Sequence, residues 1–267
     1  MYDYHLHTSF CKHAVGPAAA YVERAIDLGL EAVGFCDHIP LPDGFDSGHR
    51  MGLNEITAYI DTIESLRAAY PEIQILLGME ADYIEGYEPF LEDFLSSFPF
   101  DLVMMSVHFI NHWSDGNWVF DFHFPGKSLP QVYHEYFEAV CRGVNTGLFD
   151  VVGHLDLIKR PGSPPLASNR EDVEMVLAAV ERTGMSIELN TSGQRKPIGD
   201  YYPSLDIVEM IAARSIPVTL GSDAHTPEQV GFLFDRLLAE LPRRRPFHLA
   251  RYGGRQRRTD PLERGGD

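Results

Sequence analysis

Twelve histidines occur in the 267 residues, and where they fall narrows the chemistry. His5 and His7 are two apart, so on a strand both imidazoles project to one side, as a shared metal ion requires. One such pair is a weak signal, because a metal site needs three or more convergent ligands. The signal strengthens along the chain, where ionisable or polar residues follow apolar runs: Asp37 and His38, Glu80, His108, His154, Glu188 with Asn190, and Asp223 with His225. So many imidazoles and carboxylates in one place would repel or protonate without a cation. Neutral imidazole nitrogen and carboxylate oxygen are the usual ligands of zinc, manganese or iron.

The elements that must position these residues can be read from apolar periodicity. Seven segments have the composition of buried strands: 3–7, 32–38, 75–83, 101–109, 150–157, 186–191 and 217–224. Between them lie helical faces such as Tyr133, Tyr136, Phe137, Val140 and Val144. Asn54, Ser128 and Asn169 stand at N-cap positions, Thr226 precedes Pro227, and Gly29 and Gly184 mark helix ends. Strands alternating with helices imply parallel pairing, and seven units in one uninterrupted run predict a single (β/α)7 barrel over residues 1–242. In such a fold the strand ends gather at one mouth, where the residues above would meet.

Hydrophobic residues at 44% and charged residues at 23% are globular values. Residues 1–242 hold 14 basic against 36 acidic side chains, a net −22, which disfavours nucleic-acid backbones and suits small or cationic ligands. Residues 243–267, rich in Arg and Gly, are expected to form a basic, unordered tail dispensable for folding. Cys11, Cys36 and Cys141 are too few for a disulfide framework, and no leader or membrane span is read, so a reducing cytoplasm is expected. Cys11 and Cys36 are read as buried fillers.

The motifs HLHT with His13 six positions on, CDH, GMEADY, SVHF, GHLDLIKR, IELNTSGQRK and GSDAH resemble, in order, those of the polymerase and histidinol phosphatase (PHP) superfamily, and most closely its monofunctional histidinol-phosphate phosphatases. The resemblance spans Tyr2 to about Leu241 and implies a distorted, TIM-like (β/α)7 barrel around a trinuclear cluster of zinc, manganese or iron, with two to three ions bound. Carried over motif by motif, it implies that His5, His7, Glu80 and Asp223 hold one metal. Glu80 would bridge to a second held by His108 and His154, and His13, His38 and His225 would hold the third. Asp37 would support His38.

The implied reaction is hydrolysis of a small phosphomonoester, histidinol phosphate, with the metals acidifying water and neutralising phosphate charge. Arg160 and Arg195 follow strand ends and offer forked donors to phosphate, with Lys196 beside them. Asp223 or His225 would protonate the leaving oxygen. The aromatic segment 108–126, with His112, Trp113, Trp118, Phe120 and His123, is long for a loop and either walls the pocket or packs over the rim. Glu188, with Asn190, is the expected partner of the substrate ammonium. The competing readings are a PHP phosphoesterase for nucleotides or oligonucleotides and an inactive PHP interaction module; oligomeric state is left open.

Overall fold

Val, Ile, Leu and Met dominate the strands up to residue 221 because helices cover the sheet and bury nearly every residue of those strands. The computed structural model describes residues 1–110, 118–120, 124, 126–241 and 246–262. The chain runs β1 (Tyr2–Leu6), α1 (Ala18–Asp27), β2 (Ala32–Phe35), α2 (Ile56–Ala69), β3 (Gln74–Asp82), α3 (Glu88–Ser97), β4 (Leu102–Ser106) and α4 (Leu129–Asn145). It continues through β5 (Val151–Val152), α5 (Arg170–Thr183), β6 (Ser186–Asn190), α6 (Leu205–Ala213), β7 (Val218–Gly221), α7 (Phe234–Glu240) and a closing hairpin, β8 (His248–Gly253) and β9 (Gln256–Pro261). Strands β1 to β8 pair in parallel in chain order, and β9 is antiparallel to β8.

The apolar stripe of α4 faces inward as its periodicity predicts, with Tyr133, Tyr136, Phe137, Val140 and Val144 all buried. Gly184 ends α5 in the left-handed region at φ 74°, where a side chain would be strained. Two local expectations change. Asn54 does not cap α2, because a tight turn, Leu53–Glu55, precedes that helix and Glu55 takes the Gly52 amide at 2.8 Å. The fifth strand is only Val151–Val152, since His154 leaves the extended region for φ 22°.

The expected barrel holds as a parallel α/β sheet in one domain, and that sheet is not closed. At the C-terminal end of the strands β1 meets the residue stretch after β7 through one bridge, Leu6 with Ala224, where His7 N donates to Ala224 O at 2.9 Å. At the other end β8 lies against β7, pairing Leu249 with Val218, while the Tyr2 hydroxyl of β1 donates to Ala250 O at 2.7 Å. Strands β1 and β7 thus lie side by side but share no ladder beyond that bridge among the described residues, and β8 reaches β1 through the Tyr2 side chain.

That strand belongs to the segment expected to be an unordered tail, so the division at residue 242 is corrected. Phe247, Leu249, Ala250 and Tyr252 are buried, whereas β9 is exposed throughout. The arginines bind the body: Arg255 forks onto Asp150, with Nε to Oδ2 at 3.0 Å and Nη2 to Oδ1 at 3.1 Å, and Arg251 reaches Glu31 at 2.8 Å. Burying three large side chains at about 1.5–3 kcal/mol each contributes roughly 5 kcal/mol or more, a large part of a typical domain's stability. Deleting everything after Leu241 is expected to lower Tm by roughly 10 °C or more, or to leave the chain insoluble. Thermal denaturation that finds an unchanged Tm would make the hairpin an appendage after all.

Candidate metal centre

Side chains two apart on a strand share a face, and this brings the carboxylate of Glu80 on β3 under His5 of β1 and His7 just beyond it. Glu80 is 1% exposed and ringed by five imidazoles. Around Oε2 lie His38 Nδ1 at 2.9 Å, His5 Nε2 at 3.4 Å and His7 Nε2 at 3.6 Å. Around Oε1 lie His154 Nε2 at 2.9 Å and His108 Nε2 at 3.6 Å, and Ser106 Oγ donates to the same oxygen at 2.6 Å. Asp223 approaches from the other side, its Oδ1 3.4 Å from His7 Nε2 and 3.5 Å from His225 Nδ1. His13 completes the group, its ring 4.5 Å from that of His225 and 5.5 Å from that of His38.

Outside this ring lies a second layer of carboxylates that fixes the imidazoles. His5 Nδ1 lies 2.7 Å from Glu188 Oε1, and His108 Nδ1 lies 2.8 Å from Asp82 Oδ1. Such partners set tautomer and ring orientation. Gly221 on β7 is required for the first pair, since a Cβ there would stand 1.8 Å from Glu188 Oε1 and 2.8 Å from His5 Cβ. His154 at φ 22° and Asp223 at φ 53° occupy backbone conformations uncommon for residues other than glycine, a strain that concentrates at functional sites.

The charges inside are mutually dependent. Burial would raise the Glu80 carboxyl, but the imidazoles of His38, His5 and His108 outweigh it and hold Glu80 well below the usual carboxylate range. Asp223 is held low in the same way against burial, by Lys196 and His5. Burial drives His38 down to about 4 and also lowers His225. The centre thus holds ionised carboxylates among imidazoles of two kinds: burial favours the neutral form of His38 and His225, whereas against burial the carboxylates of Glu188 and Glu80 raise His5, those of Asp223 and Asp37 raise His7, and those of Asp82 and Glu80 raise His108.

This donor set fits divalent cations. His5 Nε2, His7 Nε2, His225 Nε2 and Glu80 Oε2 are buried and make no hydrogen bond, and unpartnered buried polar atoms are costly unless a ligand satisfies them. Three triads, His5 with Glu80 and His154, His5 with His7 and Asp223, and His7 with His38 and His225, have ligand atoms within 4.8 Å of one another.

Several expected roles change in this setting. Asp37 lies against His7, with Oδ1 3.5 Å from Nδ1, and accepts the Thr8 amide at 2.9 Å, so it supports His7 and not its sequence neighbour His38. Glu188 is fully buried and both oxygens are engaged, Oε1 by His5 and Oε2 by the His154 amide at 2.8 Å and Asn190 Nδ2 at 3.1 Å, which leaves neither residue facing an ammonium. Arg160 turns to backbone carbonyls, Ile158 at 2.6 Å and Val119 at 2.8 Å, and does not line the pocket. Arg195 holds Ser222 O and Asp223 O at 2.8 and 3.0 Å, while its Nη1 is buried without a hydrogen bond. Lys196 is the pocket-lining cation of that motif, with Nζ 3.8 Å from Asp223 Oδ2 and 5.2 Å from the Phe120 ring centre. Cys36 packs as a filler against Tyr4 O, but the Cys11 sulfur also lies within 4.8 Å of ligand atoms of His13 and His225.

Trp118 and Phe120 line the pocket, while His112, Trp113 and His123 lie outside the described residues. Sequence reasoning missed Asp46, His49, Arg50 and Asp82. Asp82 carried a signal, since it stands two residues after Glu80 on the same strand face. Asp46, His49 and Arg50, which line the pocket from the loop before α2, carried none.

The comparisons with known proteins agree with this geometry. Residues 3–192 match the PHP domain model. A probable histidinol-phosphatase of Deinococcus radiodurans is 38% identical over 244 residues, 90% of this chain and 92% of that protein. The histidinol-phosphatase of Bacillus subtilis is 30% identical over 263 residues, 88% of this chain and 97% of its own. The crystal structure of the Lactococcus lactis histidinol phosphate phosphatase, a complex with zinc, L-histidinol and phosphate, superposes with a TM-score of 0.78 at 26% identity, covering 96% of this chain and 98% of that one. On the family match over most of its length and these relatives, the chain belongs to the PHP domain family.

Proposed function

We propose that this protein is a metal-dependent phosphomonoesterase that hydrolyses L-histidinol phosphate to L-histidinol and phosphate. The observation that carries the reading is the buried Glu80 carboxylate shared by five imidazoles at the base of a pocket walled by Trp118, Phe120 and Lys196. The relative whose structure holds zinc, L-histidinol and phosphate supports the substrate. The bridge between Leu6 and Ala224 supports reading the sheet as a distorted (β/α)7 barrel with its mouth at this site.

His5, His7, Glu80 and Asp223 would hold one ion, Glu80 with His108 and His154 a second, and His13, His38 and His225 a third. Bound there, divalent ions supply Lewis acidity, acidifying water and neutralising phosphate oxygens. The chain's own residues do the rest. Lys196 Nζ on the pocket wall would supply a charge-assisted donor for phosphate, and Arg195, outside the pocket lining but with its buried Nη1 unpartnered, would supply another behind it. Asp223 or His225, whose Oδ1 and Nδ1 lie 3.5 Å apart on the pocket wall, would pass a proton to the leaving alkoxide. The indole of Trp118 and the ring of Phe120 offer faces to the imidazole and ammonium of the substrate.

Phosphate release from L-histidinol phosphate, with a nucleoside monophosphate as comparison, tests the substrate class. Release from the nucleotide alone would replace this reading by the nucleotide phosphoesterase one. Glu80→Gln is expected to lower bound metal, measured by elemental analysis, and to cost several orders of magnitude in rate. Stringent chelation should abolish turnover, and full activity in verified metal-free protein would overturn the metal dependence.

Loss of one charge-assisted hydrogen bond costs about 1.5–3 kcal/mol. Lys196→Ala and Arg195→Ala should therefore each lower kcat/KM by roughly 10 to 150 fold with metal content unchanged. Arg160→Ala should cost less, and Arg170→Ala, on the exposed face of α5, should be nearly silent. Equal losses at Arg160 and Lys196 would place the phosphate elsewhere.

A further inference from the structure

Arg50 belongs to none of the motifs, lies in the loop before α2, and is only 3% exposed. Each of its guanidinium nitrogens is engaged. Nη1 donates to Ile39 O at 3.0 Å, Nε to Asp46 Oδ2 at 3.2 Å, and Nη2 to both Asp46 Oδ2 at 2.9 Å and Asp82 Oδ2 at 3.0 Å. The two carboxylates it joins look in different directions. The other oxygen of Asp82 takes the amide of His108 at 3.1 Å and lies 2.8 Å from its Nδ1, and the far nitrogen of that ring points at Glu80 from 3.6 Å. The other oxygen of Asp46 lies 2.6 Å from His49 Nδ1, and both residues line the pocket. Asp46 sits at φ 54°, a left-handed conformation that its surroundings must hold in place.

An unbroken series of contacts thus runs from the pocket wall to the metal centre, and Arg50 is its only cation among the described residues. We propose that Arg50 is a positioning residue that ties the pocket-wall carboxylate of Asp46 to the metal-side imidazole of His108, so that the placement of the loop and the affinity for metal are set together. The proposal rests on the metal-centre reading above, though not on the identity of the substrate. The chemistry asks for arginine: a planar fork binds two carboxylates and a carbonyl at once, whereas an ammonium on a flexible stem cannot hold the same three directions.

The test is a double-mutant cycle on the full chain, read as zinc affinity by competition with a chromophoric chelator. Arg50→Lys should weaken zinc binding about 10 fold or more, as loss of a ligand's supporting contacts does. Asp46→Asn, which touches no proposed ligand, should weaken it at least about 2 fold in the native chain and have no further effect in the Arg50→Lys background. Native zinc affinity in Arg50→Lys, or an Asp46→Asn effect that is the same in both backgrounds, overturns the proposal. Should Arg50→Lys fail to fold, Asp82→Asn takes its place in the cycle with the same two outcomes deciding. Hydrolysis of L-histidinol phosphate by the native chain is assayed in parallel, and its absence would defeat the functional reading while leaving the zinc cycle to decide this one.

Discussion

A carboxylate buried at the junction of five strand ends is the constraint around which the molecule is arranged. Left alone, Glu80 would carry a desolvation cost of several kcal/mol and would neutralise by taking a proton. It remains ionised because His38, His5 and His108 surround it, and behind the ring an outer layer of Glu188, Asp82 and Asp37 steadies His5, His108 and His7. Charge therefore alternates outward in shells, anionic at the centre, imidazole around it, anionic again behind. Strand register, the bare Cα of Gly221 and the strained backbone at His154 and Asp223 all serve to bring these shells into contact.

Much of that arrangement was legible in the sequence. An HxH pair on a strand fixes two imidazoles on one face, and polar residues that close apolar runs belong at strand ends, so the inner ring could be gathered without coordinates. The outer shell was less accessible, because each of its bonds crosses between strands. Asp37 was paired with His38 by adjacency, but neighbours on a strand face opposite ways, and the carboxylate reaches His7 of β1 instead. Glu188 looked like a ligand for a cation because a charge at a strand end suggests solvent or substrate, yet its neighbours in the next strands consume both oxygens.

The arginines and the C-terminal segment misled for a different reason. Charge density was read as exposure, although Arg255 and Arg251 lay their guanidinium groups on Asp150 and Glu31 while Leu249, Ala250 and Tyr252 turn inward. A short strand with a period of two and few apolar residues leaves little pattern in so basic a segment. Arg160 and Arg195 followed strand ends as expected, but backbone carbonyls, Ile158 after β5 for the first and Ser222 after β7 for the second, compete for a forked donor. No local pattern announces that competition.

The contacts that tie β1 and its neighbourhood to the closing hairpin bear on the order in which the chain can acquire its structure. Tyr2 donates its hydroxyl to a carbonyl 248 positions further along, and Glu31 receives Arg251 across 220. Closing so long a loop is entropically late, and contacts of this separation slow folding. During synthesis the contacts of β1 with β7 and with the closing hairpin can therefore form only once most of the polypeptide has emerged. Tyr2 and Tyr4, buried and stacked at 4.0 Å in the finished molecule, gain their last cover from that late step, and apolar surface left open until then is what makes an incomplete chain prone to associate.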